Sequence, residues 1–183
     1  MTQSTRTAPA SIELRRGYDP GLIGRVGELH GRYYADAWGV GAAFEIMMIR
    51  DLCDFIEHCD PNRDIILSAF LEGILMGSIS ILGEKAEGEG AQLRFFIVDP
   101  KYHGLGAGKA LLHSALDWCR ARGYSRVFLW TVDHLSQSRQ LYEKAGFRVT
   151  TRWTDDRYSA PLESLRMECS LTLDSSVSGP SPR

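Results

Sequence analysis

Apolar residues recur along this chain with periods that switch between two and about four, and the switches predict its elements. Ile12-Glu13-Leu14-Arg15 alternates apolar and polar side chains, as a half-buried strand does. Asp19-Pro20 reads as a helix N-cap and first helical residue. That helix should run to about Ala37, weakened by Gly24, Gly27 and Gly31. Phe44, Met48, Leu52, Phe55 and Cys59 recur at helical spacing and predict a second helix, which Asp60-Pro61-Asn62 ends. Residues 65–70 and 74–82 read as strands around a Glu72-Gly73 hairpin turn. A polar Gly/Glu loop leads to a buried strand at 93–98. Farther on, Leu111, Ala115 and Trp118 share a helix face that Gly123 and Tyr124 bring to an end. Residues 126–132 form a strand, and Ser136 caps a helix that stops at Gly146 and Phe147. Leu165, Met167, Cys169, Leu171 and Leu173 alternate with polar residues as another half-buried strand.

This order predicts an α/β fold, a mixed sheet of about six to seven strands with about four helices. The length of 183 residues suits one folded domain, expected over 12–173. Residues 1–11 and 174–183, rich in Ser, Thr, Ala and Pro, read as disordered tails. A net charge of −2 predicts no general affinity for nucleic acid or anionic membrane. No apolar run is long enough to span a bilayer, and the first ten residues lack the apolar centre of a secretion signal. Cys53, Cys59, Cys119 and Cys169 show no metal-ligand spacing. They read as small buried hydrophobes in a reducing cytoplasm, and no metal is expected.

The stretch from Ile97 to Lys109 carries the chemistry. A strand ends at Val98-Asp99-Pro100, a glycine-spaced loop follows, and a helix opens behind it. Helix-opening N–H groups lack intrahelical partners and point outward, toward an anion. A Walker loop does not fit, because His103 stands where its first Gly belongs and Ala110 replaces its hydroxyl residue. The dinucleotide fingerprint fails at Lys109, where a third Gly is needed. What fits is Gly104-x-Gly106-x-Gly108 after a strand end.

With that loop, the sequence resembles the GNAT superfamily of N-acetyltransferases, in which such a loop binds the pyrophosphate of coenzyme A. One departure is His103, at the usual Arg or Gln position. The resemblance implies a sheet splayed between its fourth and fifth strands, with acetyl-CoA lying in the splay. It assigns cofactor binding to His103, Gly104, Leu105, Gly106, Ala107, Gly108 and Lys109, and to the backbone of Phe96, Ile97 and Val98. Backbone groups there pair with the pantetheine arm like an added strand, and an N–H polarises the thioester carbonyl. Leu141-Tyr142-Glu143-Lys144-Ala145-Gly146-Phe147 resembles a second segment of the family. Its Tyr142 is then the acid that protonates the departing thiolate. Leu135 stands where many relatives have an Asn that holds the pantetheine arm.

The segment from Leu29 to Gly39, followed by Phe44-Glu45, resembles the acetyltransferase half of proteins that fuse a MarR-type regulator to a GNAT domain. The MarR half is not part of the resemblance, so DNA binding is not expected. The family places the acceptor against its first two helices. His30, Tyr33 and Tyr34 then line that wall, with Glu45 holding an ammonium or accepting its proton. His30, Asp133 and His134 are the other proton acceptors in the segments concerned.

The combined expectation is a cytoplasmic acetyl-CoA-dependent N-acetyltransferase acting on a small-molecule amine by direct attack, with Tyr142 and Glu45 catalytic. Two alternatives stand beside it: a non-catalytic acyl-CoA-binding or sensing module, and an enzyme for protein or peptide amines. The family also makes a homodimer an option.

Overall fold

The computed structural model describes residues 11–84, 86–133, 135–155 and 161–171. The expected tails lie outside these residues, Ser11 apart. Along the chain run β1 (Glu13–Arg16), α1 (Leu22–Trp38), α2 (Ala42–Glu57), β2 (Ile65–Leu71), β3 (Ile74–Leu82) and β4 (Ala91–Val98). A short 3-10 turn at Pro100–Tyr102 precedes α3 (Ala107–Ala121), then β5 (Arg126–Val132), α4 (Ser136–Lys144), β6 (Arg148–Asp155) and β7 (Leu162–Ser170). The seven strands order as β1-β2-β3-β4-β5-β7-β6. The β4–β5 pair is parallel, whereas β1–β2, β2–β3, β5–β7 and β6–β7 are antiparallel. This is the mixed α/β sheet the pattern predicts.

The residues divide into two compact units, Met1–Leu82 with Leu93–Ala115, and Gly83–Gln92 with Leu116–Arg183. In the first unit, Leu22, Val26 and Leu29 of α1 and Met48, Leu52 and Phe55 of α2 bury themselves with Ile66, Phe95 and Ile97 of the strands. In the second, Val127, Phe128 and Leu129 of β5, Leu165, Met167 and Cys169 of β7, and Phe147 are buried.

Several boundaries differ from the sequence pattern for physical reasons. Helix α1 begins at Leu22 rather than at Pro20, because Asp19 to Leu22 first close a turn, the Leu22 amide donating to the Asp19 carbonyl at 3.0 Å. Gly21, at φ 90° and ψ −9°, takes the turn's third position, with Pro20 before it. Helix α2 stops at Glu57, short of Cys59: the His58 amide and ring both donate to the Asp54 carbonyl. Helix α4 starts at Ser136, so Leu135 takes the N-cap position and Ser136 is the first helical residue. Strand β7 begins at Leu162, three residues before the apolar alternation indicates, and Leu173 of that alternation lies outside the described residues. The helix C-termini match expectation. At α3 the Tyr124 amide donates to Cys119 and Gly123 to Arg120; at α4 Phe147 donates to Tyr142 and Gly146 to Glu143. Both are Schellman ends built on a left-handed glycine.

Candidate functional site

Strand β4 is where the site begins. Its ladder with β5 lasts for two residues, Ala91↔Val127 and Gln92↔Phe128. Phe95 then takes φ +49°, a conformation few non-glycine residues adopt and one that concentrates at functional sites. The buried Ser78 hydroxyl of β3 donates to the Phe95 carbonyl at 3.1 Å and holds this irregularity in place. Farther along, the Ile97 carbonyl would sit 2.3 Å from any Cβ at Gly77, so β3 and β4 approach there only because residue 77 is glycine. Ile97 is buried, whereas Phe96 and Val98 are half-buried.

The strand end is anchored from α1. Arg25 pairs with the buried Asp99 and donates to the Leu75 carbonyl and to Glu28. Asp99 also caps the 3-10 turn by accepting the Lys101 amide at 3.0 Å. Burial opposes ionisation of Asp99, but the Lys101 amide and the Arg25 guanidinium outweigh it and hold the carboxyl below its usual range. Arg25 and Asp99 lie 74 positions apart, and no local pattern pairs them.

Next comes the glycine loop. Gly104 and Gly106 take φ 82° and 90°, and nothing lies within 4 Å of where a Cβ would stand on either. Left-handed backbone with open space above it suits a ligand pressed close to the chain. Ala107 is buried and seats the start of α3, whose first amides, at Ala107, Gly108 and Lys109, have no intrahelical acceptor. Leu105 is 54% exposed and Lys109 is also exposed. Oriented amides of this kind form an anion cradle. The exposed His103 ring folds back instead: Nε2 donates to the Val98 carbonyl at 3.1 Å. One of the strand groups expected to meet pantetheine is thus engaged by a side chain expected to meet phosphate.

The residues expected at the acceptor lie together on α1 and the first turn of α2. Tyr34 is the centre of a ring cluster, with Trp38 at 4.6 Å, Phe44 at 4.9 Å, Tyr33 at 5.4 Å and His30 at 5.9 Å between centroids. Tyr33 also packs on the apolar core, and burial raises its pKa. His30 is 5% exposed. Its Nδ1 donates to the Val26 carbonyl at 2.9 Å, which fixes the tautomer and leaves Nε2 as the lone-pair nitrogen. Burial pushes its pKa down to about 4, against the smaller opposite pull of the Val26 carbonyl. Glu45 is exposed and lies against Gly31 of α1.

In the second unit Tyr142 is 6% exposed, its ring 5.7 Å from that of Phe147. Asp133 is tied up by Arg139 at 2.5 Å and Arg152 at 3.5 Å, which counts against it as a proton acceptor. His134 lies outside the described residues. All four cysteines are unbridged. Burial pushes the Cys119 thiol up to about 12 and raises those of Cys59 and Cys169, which leaves these three poor nucleophiles. Among the described residues no group of His, Cys, Asp and Glu is placed to hold a metal, and no helix is long and apolar enough to cross a membrane.

Comparison with known proteins follows the same line. The pattern of the Acetyltransferase (GNAT) family matches residues 25–147. A mycothiol acetyltransferase of Beutenbergia cavernae is 48% identical over 95 residues, covering 51% of this chain and 27% of that protein. A glucosamine 6-phosphate N-acetyltransferase of Trypanosoma brucei brucei is 34% identical over 87 residues, covering 44% of this chain and 55% of that protein. This chain spans 27% to 60% of the length of the first curated relatives it matches. The solved structure of the PaiA N-acetyltransferase of Thermoplasma acidophilum in complex with coenzyme A superposes with a TM-score of 0.64. It is 23% identical and covers 87% of this chain and 99% of that one, a likeness of fold.

Proposed function

The chain belongs to the acetyltransferase (GNAT) family, and on that premise we propose that it is an acetyl-CoA-dependent N-acetyltransferase acting on a small-molecule amine. The observation that carries this is the loop of Gly104 and Gly106, left-handed and open above, ahead of the unpaired amides of α3. It has the shape and polarity that a pyrophosphate requires. The small-molecule acceptor draws support from the relatives named for mycothiol and glucosamine 6-phosphate, and from the ring cluster on α1. The likeness of residues 29–45 to the acetyltransferase half of MarR fusions belongs to this proposal, without DNA binding. So does a cytoplasmic setting, which suits four unbridged cysteines.

Transfer proceeds by direct attack in a ternary complex. The amine nitrogen forms a bond to the thioester carbon while backbone N–H at the end of β4 steadies the oxyanion. The C–S bond then breaks, Tyr142 gives its proton to the thiolate, and the nitrogen loses one to an acceptor or to water. Glu45 faces the amine, as holder or as proton acceptor. No acetyl-cysteine is invoked, in keeping with the raised thiols.

The test is thiol release from acetyl-CoA across a panel of amines, amino acids and peptides. Tyr142→Phe is expected to lower turnover by about a hundredfold and to change coenzyme A affinity by less than about threefold. Near-wild-type turnover would remove the acid role. Tight coenzyme A binding with silence across the whole panel would favour the non-catalytic binding module.

A further inference from the structure

The corner where α1 meets α2 holds an acid without a base. Several acids of this unit are matched, Glu13 and Asp19 with Arg15, Glu28 with Arg25 and Arg32, Asp51 with Arg94 and Asp99 with Arg25, whereas Asp36 of α1 has no ion pair among the described residues. Glu45 has no such partner among the described residues. Its carboxylate nevertheless has a defined seat. A Cβ on Gly31 would lie 2.9 Å from Glu45 Cδ and 3.1 Å from Oε2. Gly31 is in the middle of α1, so no turn demands glycine there. The missing side chain lets the carboxylate lie flat on the helix. One turn farther along, the Tyr34 ring lies tilted on Trp38 and edge-on to Phe44, all three rings half-buried. An unmatched carboxylate seated on the helix that carries Tyr34 and Trp38 has the chemistry that recognises an organic cation.

Which cation follows from the reaction. The attacking nitrogen must be neutral, whereas a carboxylate in contact with an amine favours its charged form. An amine gripped by Glu45 is therefore a poor nucleophile, and the site serves better to hold a second ammonium that keeps its proton. We infer that the acceptor is a diamine or polyamine, docked through one ammonium on Glu45 beside Tyr34, Trp38 and Phe44 while its other, neutral nitrogen takes the acetyl group. The transfer itself balances as above, since only the neutral nitrogen forms a C–N bond. This inference rests on the acetyl-transfer reading for its chemistry but not for its binding step.

The experiment compares diamines and polyamines from putrescine to spermidine with monoamines of matched length. For wild type, kcat/KM of the best polycation is expected to exceed that of its matched monoamine by at least about tenfold. In Glu45→Gln that ratio should fall to within about twofold of one. Equal kcat/KM in wild type, or an unchanged ratio in the variant, would overturn the inference. Calorimetry with the same amines on protein saturated with coenzyme A reads the cation site without turnover. Binding to wild type and loss in Glu45→Gln, with no acetylation of either class, would sink acetyl transfer and uphold the cation site. Absence of binding by every polycation would sink the cation site, whatever the turnover with monoamines.

Discussion

Two pairs of glycines in the first unit serve opposite needs. Gly104 and Gly106 in the loop before α3 stand in left-handed backbone with empty space around the missing side chain. Gly27 and Gly31 in α1 stand in helical backbone with no conformational need for glycine, but α2 crowds them. Ile49 Cδ1 lies 3.0 Å from where a Gly27 Cβ would be, and Glu45 Cδ lies 2.9 Å from that of Gly31. Pairing 27 with 49 and 31 with 45 also fixes the two helices as antiparallel along this seam. The first pair makes room for a ligand by bending the chain; the second makes room for a neighbouring helix by being small.

The two histidines of these regions differ in the same sense, and they give the largest expected effect on stability. His103 is exposed and its tautomer is set by the Val98 carbonyl; His30 is buried and neutral. An unfolded chain takes up a proton at His30 near pH 6.5, the folded one only near 4. Between those values the unfolded state binds more protons, so stability falls as pH falls. At roughly 1.4 kcal/mol for each pH unit, about 3 kcal/mol is gone once pH 4 is passed. Urea unfolding from pH 7 to pH 4 should show this fall, and His30→Gln should flatten it. Identical slopes in the two proteins would mean that the buried imidazole is not the acid-sensitive element of α1.

Next in size comes the loop. Gly106→Ala meets no atom within 4 Å, so its whole cost is backbone strain, about 1–2 kcal/mol for an L-residue in that region. If the loop relaxes to escape it, the amides of α3 and the loop no longer converge. Coenzyme A affinity should then weaken about tenfold or more, read by calorimetry, with a smaller change in melting temperature. An unaltered affinity would say that the cradle lies elsewhere.

The difference between the pairs also explains what the sequence could reveal. Gly104, Gly106 and Gly108 sit at fixed spacing beside a strand end, and spacing is legible in a sequence. The helix ends at Gly123 and Gly146 are legible for the same reason, since each shows a left-handed glycine followed directly by a hydrophobic residue, Tyr124 or Phe147. Gly27 and Gly31 read as defects in a helix, because their reason is Ile49 and Glu45, which belong to another element. Arg25 with Asp99, and Ser78 with Phe95, were hidden likewise: each joins distant elements, and neither leaves a mark on local pattern. Helix α1 starts two residues after Pro20 because Asp19-Pro20 suits a helix cap and a turn equally well, and Gly21 decides for the turn.

The smallest effect separates crowding from propensity inside one helix. Gly24 lies in α1 with ordinary helical backbone and nothing within 4 Å of a Cβ, so Gly24→Ala should stabilise the protein by about 0.5–1 kcal/mol. Gly31→Ala receives the same gain in helix propensity, but its Cβ forces Glu45 off its seat. Glu45 is exposed and its side chain is flexible, so the displacement costs little in stability, and the two contributions should nearly cancel. Thermal unfolding of both variants tests this: Gly24→Ala above wild type, Gly31→Ala close to it. Their functional signatures should part the other way. Coenzyme A affinity should hold in both, because neither residue is near the loop in sequence or shares its backbone state. The polycation preference should decline only in Gly31→Ala, where the carboxylate has moved. A matched stability gain in both would mean that Gly31 is not crowded, and the helical pair of glycines would then lose its separate meaning.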